Sequence, residues 1–389
     1  MAGRRKISRV GGAGVTVALA GLVLGDFVLV RRNRLTPGVP LSVFEALAEL
    51  QWALLLAGLA ALLLFSIKPG RRQAAAGMLL IVLLVLALLG FLGSAAAELS
   101  EAGGSFTRVS IGSSMWLALF GLFIVLTDMV GRARLGLVGN VLLAVGFVAG
   151  LAFSALAGAY HFLSPVLEFI SHRDRFFAEL GNHLFITSLS IGLAAAIGLP
   201  LGLLIFKYRS PRASVFAVLN IVQTVPSLAL FGLLIAPLAF ISGEWPLLRS
   251  LGVRGIGWAP AVIALTLYGL LPIVRNTFAG FAAVDKAVME VGRGMGMGPL
   301  QIFARVELPI AAPIILSGLR IACVQNIGNT AVAALIGAGG FGIFIFQGLG
   351  QSAIDLILLG TIPTIVLALC ADGLFQMVMQ LFTYRRFLT

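Results

Sequence analysis

Apolar runs, each near the ~20 residues that cross a bilayer, follow one another along almost the whole chain, with short connections between them. A water-soluble core cannot absorb that pattern. Of 389 residues, 60% are hydrophobic and 11% charged, with a mean hydropathy of +1.07. The chain therefore reads as an all-α polytopic membrane protein of about ten transmembrane helices. Five runs, at 10–30, 51–67, 74–97, 109–130 and 135–159, make an N-terminal extension over 1–159. An amphipathic connection is expected at 160–183. Five further runs, at 184–206, 213–241, 258–274, 312–336 and 352–382, make a core over 184–389.

The net charge of +12 would suit nucleic acid if it formed a basic face, but the cations sit in short loops between apolar runs. Arg4, Arg5, Lys6 and Arg9, then Lys68 with Arg71 and Arg72, Arg132 with Arg134, Lys207 with Arg209 and Arg212, and Arg385 with Arg386 fall on alternate connections. The positive-inside rule places these loops and both termini in the cytoplasm. Glu98, Glu101, Glu168, Asp174, Glu179 and Glu244 then face outward. Arg31, Arg32 and Arg34 are the exception, flanking the first run on its outer side. The basic start is followed by no cleavage site and is read as a retained anchor. Cys323 and Cys370 lack disulfide or zinc spacing, and His161, His172 and His183 suit interfacial structure better than a metal.

One polar interruption is too structured for a linker: VDKAVMEVGRGMGMGPLQIFARVELPIAAP over 284–313. Helix formers run to Gly294, glycines recur at 292, 294, 296 and 298, and Pro299 opens a second short helix. Glu290, Val291, Gly292, Gly296, Val306, Leu308 and Pro309 stand in the order of the EAA loop of ABC importer membrane subunits, which this segment (about 276–309) resembles. Two departures, Val291 with Gly292 for the paired alanines and Val306 for isoleucine, keep small or apolar character. Gly292 loosens the helix by up to about 1 kcal/mol relative to alanine. The resemblance implies a loop that docks in a groove of a separate ATP-hydrolysing subunit.

Residues 176–386 resemble the ABC permease fold, more narrowly its osmoprotectant branch, through three segments. These are NIVQTVPSLAL at 220–230, LPIVRNT at 271–277 and NIGNT at 326–330 leading into IGAGGFG at 336–342. With the extension, the chain looks most like the longer permeases associated with low-affinity glycine betaine uptake. The resemblance implies import of glycine betaine, choline or a related quaternary amine across the bacterial inner membrane. It implies an ABC ATPase dimer that binds ATP and magnesium, a substrate-binding protein, and a second permease subunit, either the same chain or a shorter homologue. No cofactor, metal or catalytic residue is expected in this chain. An amino-acid permease is the nearest alternative; an ion-coupled transporter or a membrane enzyme would need residues that are not evident.

Gln223 and Thr224 beside Pro226, and Gln325, Asn326, Asn329 and Thr330, interrupt apolar runs with polar groups. These are costly in lipid, so they either line a solute path or join helices. The glycine-rich stretch 337–342 has no preceding strand and no following lysine with serine or threonine. It reads as a bend before a short interfacial or re-entrant helix at 341–350, and phosphate binding is not expected. Asp26, Asp128 and Asp372 lie in or near apolar runs, and arginines can reach the latter two. Gly139, Ala144, Gly146 and Gly150 form the expected contact stripe of the last N-terminal span.

Overall fold

The computed structural model describes residues 8–33, 36–67, 70–104 and 106–385. The loop cations Arg4, Arg5, Lys6, Arg34, Lys68 and Arg386 lie outside the described residues. Two compact units are present, Met1–Ser171 and His172–Thr389.

The first unit opens with α1 (Arg9–Leu24), whose first turn is capped by Ser8 accepting from the Gly11 N–H at 3.0 Å. The Ser8 hydroxyl donates to Asp128 Oδ2 at 2.6 Å, and Arg132 reaches Asp128 Oδ1 at 2.8 Å. The expected run 10–30 therefore holds only a 16-residue helix, because Val28, Leu29 and Val30 pair as a strand instead. Strands β1 (Val28–Arg31), β2 (Val39–Leu41) and β3 (Arg108–Ile111) form an antiparallel sheet in the order β2-β1-β3. Their β-branched residues favour this geometry, and Pro40 sits on an edge strand, where a missing donor is tolerated. Between the strands lie α2 (Val43–Ala46), α3 (Glu49–Ile67) and α4 (Arg71–Gly103), and after them α5 (Ser113–Ala133), α6 (Leu137–Leu156) and α7 (Ser164–Ser171).

The tightest helix crossing in this unit is α1 on α5. A Cβ added at Gly14 would lie 2.8 Å from the Gly121 carbonyl oxygen, so the backbones touch through small residues. The stripe expected on α6 behaves differently: Gly150 packs on Leu86 of α4, while a Cβ at Gly146 would meet nothing within 4 Å.

The second unit begins with α8 (Arg173–Lys207), a 35-residue helix about 52 Å long. It absorbs residues 173–183 of the expected connection, whose Arg, Phe, Ala, Glu and Leu residues continue the helix beyond the bilayer-crossing stretch. The expected run 213–241 is likewise divided into α9 (Arg212–Thr224) and α10 (Ser227–Glu244), because Val225 and Pro226 adopt extended backbone. Then come α11 (Pro246–Ser250), α12 (Trp258–Ala282), α13 (Lys286–Gly294), α14 (Pro299–Ile302), α15 (Leu308–Val332), α16 (Gly342–Gly350) and α17 (Ile354–Arg385). Helix α16 is the short helix expected after the glycine bend. Among the described residues nine helices are long and apolar enough to cross a membrane, and α1 is shorter. Apart from the small sheet the described residues are all-α.

Helix α12 is the buried axis of this unit, covered by protein along most of its length. Small residues admit its neighbours. On α8, Ala194, Gly198 and Gly202 recur every fourth residue, and a Cβ at Gly202 would lie 2.6 Å from Thr277 Cβ. On α15, a Cβ at Gly318 would lie 2.6 Å from Asn276 Cβ. Gly192 on the same α8 faces open space within 4 Å. Gly202→Leu should therefore lower the thermal unfolding midpoint of the detergent-purified protein, at a cost of about 1–3 kcal/mol typical of overpacking. Gly192→Leu should leave it unchanged; equal midpoints for both variants would show that the α8–α12 crossing is not the constraint.

Candidate functional site: the coupling loop and the polar core behind it

Between α12 and α15 the chain builds two helical limbs around one glycine corner. Asp285 caps the first limb, accepting from the Ala287 N–H at 2.9 Å. Gly296, at φ +81°, ends it: its N–H bonds to Arg293 O at 2.9 Å, and the Met297 N–H reaches back to Gly292 O at 3.1 Å. That pair of bonds is the Schellman closure, which favours glycine at its left-handed position. Gly298 N–H donates to Gln301 Oε1 at 3.0 Å, and Pro299 then starts the second limb, where its missing donor costs nothing. A Cβ at Gly292 would stand 3.5 Å from Met297 Sδ, so alanine would fit there.

The second limb runs without a break into α15 through a wide π turn, Phe303–Glu307, in which the Leu308 N–H bonds five residues back to Phe303 O. Pro309 explains the widening, because its ring and missing N–H disrupt the regular ladder one turn earlier. Val306 is half-buried in this turn, while Leu308 and Pro309 are exposed. Aromatic rings seat the limb: Phe303 stacks on Phe281 with centroids 5.7 Å apart, and Phe281 stacks on Phe206 at 5.7 Å. Lys207 Nζ lies 5.8 Å from the Phe303 ring centre, and the Arg212 guanidinium 4.4 Å from that of Phe278. Glu290 is exposed on the first limb. Beside it Val291, Met295 and Leu300 are 62%, 76% and 78% exposed, an apolar surface suited to docking.

Behind the loop, polar groups collect around α12. Pro272 has no N–H to give the carbonyl four residues earlier, and that carbonyl, Tyr268 O, accepts from Gln223 Nε2 at 2.7 Å. The Tyr268 hydroxyl donates to Val225 O, so one residue holds the α9–α10 break at two points. Asn326 and Thr330 are fully buried. Asn326 Nδ2 donates to Leu265 O at 2.9 Å and Ser190 Oγ at 3.1 Å, and Thr330 meets Thr187 at 3.0 Å. These residues join α8, α12 and α15. Thr224 and Pro226 are exposed, Gln325 and Asn329 half-buried. Gln223 and Asn326 both attach to α12, through the carbonyls of Tyr268 and Leu265.

At the other end of α12, the bend Gly337–Gly342 is latched to α8 by residues that sequence reasoning left in a connection. Glu179 Oε2 accepts from the Gly340 N–H at 2.7 Å and from Asn182 Nδ2 at 3.1 Å. His183 Nδ1 accepts from the Phe341 N–H at 3.3 Å, leaving Nε2 to donate to Ile327 O at 3.1 Å. Gly339 and Gly340, at φ +88° and +83°, shape the bend that brings the Gly340 and Phe341 amides to α8. The signal was the pair Glu179 and His183, four apart on one helix face. A cleft of about 430 Å³ opens beside this latch, with Asn182, Phe185, Arg254 and Trp258 in its wall. Asp128 is paired with Arg132, and Asp372 with Arg320.

Comparisons with known proteins agree with this architecture. A family model described as the binding-protein-dependent transport system inner membrane component matches residues 191–383. Another, described as ABC transporter permease YehY, N-terminal domain, matches residues 8–166. The chain is 42% identical over 193 residues to the osmoprotectant import permease protein OsmW of Salmonella typhimurium, covering 50% of this chain and 85% of that one. It is 39% identical over 195 residues to the choline transport system permease protein OpuBD of Bacillus subtilis, covering 50% and 79%. With the carnitine transport permease protein OpuCB of Listeria monocytogenes it shares 42% over 207 residues, covering 51% and 87%. The chain belongs to the family of membrane-spanning permease subunits of binding-protein-dependent ABC importers, which are transport subunits and not enzymes.

A bulky side chain at Gly296 must adopt a left-handed backbone, at a cost of roughly 1–2 kcal/mol, and so opens the corner. Gly296→Leu should insert normally in membranes and lose substrate-stimulated ATP hydrolysis about tenfold or more in a reconstituted complex, whereas Gly292→Ala should keep it. Full stimulation in the Gly296 variant would separate the corner from coupling.

Proposed function

We propose that this permease imports a betaine-type compatible solute, such as glycine betaine, choline or a related quaternary amine. The observation that carries the substrate class is the 42% identity to a relative named as an osmoprotectant import permease, over 85% of that relative. A separate ATPase dimer binds ATP and magnesium and receives the exposed face of Val291, Met295 and Leu300 in its groove, with Glu290 alongside. A binding protein delivers the solute to the opposite, outer face, and two permease cores pair across the membrane. The positive-inside distribution of loop charge supports a cytoplasmic position for the coupling loop and both termini. Reconstituted with its ATPase and binding protein, the chain should accumulate radiolabelled glycine betaine in proteoliposomes with ATP inside, and excess choline should compete. Uptake of amino acids in place of quaternary amines would keep the importer class and overturn the substrate.

In this reading the route runs past the groups left uncovered around α12: Thr224, Pro226, Gln325 and Asn329, with Gln223, Asn326 and Thr330 holding the helices that carry them. The cleft at the latch end supplies aromatic faces, Trp258 and Phe185 with ring centres 5.7 Å apart, for a quaternary ammonium, and Arg254 for a carboxylate. In a background with Cys323 and Cys370 replaced, Thr224→Cys and Asn329→Cys should react with a small hydrophilic thiol reagent at rates that change between nucleotide states. Protection in every state would make the whole cluster a helix-joining element.

A further inference from the structure

The arginines after the first helix break the pattern of the loop charges, and the structure gives them a setting. Arg31 closes β1 and lies directly opposite Arg108 in β3. Two cations opposite one another on paired strands repel, and they share one face of the sheet. Arg31 Nε and Arg108 Nη1 are both shielded from solvent and hydrogen-bond to nothing among the described residues. Thr107, only 4% exposed, has an unbonded hydroxyl as well. Arg31, Arg32 and Thr107 line a cavity of about 500 Å³ with Gly103, Gly104 and Phe106. The carboxylates on the last turns of α4, Glu98 and Glu101, form no ion pair with these arginines among the described residues.

Guanidinium groups do not shed their protons, so these shielded donors call for an acceptor. The end of α4 brings partial negative charge of about half a unit, less than the arginines' own charge. A tetrahedral oxyanion presents several acceptor oxygens at once and takes arginine in bidentate geometry. We propose that the sheet end of the N-terminal unit is a binding site for a phosphate-type oxyanion, held by Arg31, Arg32, Arg108 and Thr107. The cavity exceeds the volume of one phosphate group. Phe106, 80% exposed at its rim, and Leu24, 84% exposed at the end of α1, suit a site at the membrane surface. The phosphate of an anionic phospholipid head group and a free phosphate ion share this chemistry.

The test uses the full-length protein, purified and stripped of lipid. Native mass spectrometry after incubation with phosphatidylglycerol or phosphatidylcholine, and thermal unfolding with each lipid or with inorganic phosphate, separate the two sources. Retention of phosphatidylglycerol over phosphatidylcholine by about tenfold, lost in R31Q/R108Q and kept in R72Q at the opposite end of α4, supports a head-group site. Stabilisation by millimolar inorganic phosphate alone, lost in the same variant, supports the site with a free anion as ligand. Thr107→Val, close in shape, should weaken binding several-fold and gives the answer if the double variant does not assemble. A wild-type protein indifferent to phosphatidylglycerol and phosphate, or unchanged ligand retention in the assembled variants, overturns the proposal.

Discussion

Much of the second unit hangs on the Tyr268 carbonyl, which its own helix cannot satisfy. Pro272 removes the donor, and at membrane depth an unbonded carbonyl costs several kcal/mol. Gln223 satisfies it from α9, and the Tyr268 hydroxyl in turn takes up Val225 O, where the chain breaks before α10. A helix defect and a chain break, each costly alone, are thus solved by one reciprocal contact. On the other side Asn326 bonds to Leu265 O, three residues earlier on the same helix. Helix α12 can therefore be both buried and polar. Its apolar surface needs no water to drive association, because Gly198, Gly202 and Gly318 let neighbouring backbones approach until contact replaces lipid.

The sequence was informative where structure follows from local chemistry. The glycine corner and the first-turn proline at 299 were readable because each rests on what glycine or proline permits within one turn. Helix ends were less readable. Hydropathy reports the part of a helix that lies in lipid, so α8 and α4, at 35 and 33 residues, extend well past the runs that marked them. The small sheet was missed because Val28–Arg31 continues the apolar composition of α1, and its strand character comes from pairing on one side with Val39–Leu41 and on the other with residues some eighty positions away. The Glu179–His183 latch joins positions about 160 apart, so the pair four apart on α8 shows in the sequence while the Gly340 and Phe341 amides it holds do not. Asn326 looks the same in sequence whether it faces a solute or a neighbouring helix, and only its complete burial separates the two roles.

These features also say how movement could pass between the two ends of the core. The second limb of the proposed coupling loop continues into α15 through the π turn and is stacked on the end of α12 through Phe281 and Phe303. A push on that limb therefore acts on two packed helices together, while the first limb is joined to α12 by the short stretch 283–285. Helices locked by backbone contacts move as a body. The break at 225–226 is the place beside them where the backbone is not helical, and it is tied to α12 by side-chain bonds that can exchange partners. In the proposed importer, movement of the ATPase against this loop therefore shifts α12 and α15 as a unit, and the α9–α10 break absorbs the displacement. The latch at the far end of α12 carries it to the glycine bend and the Trp258 cleft, about 37 Å away along a 25-residue helix.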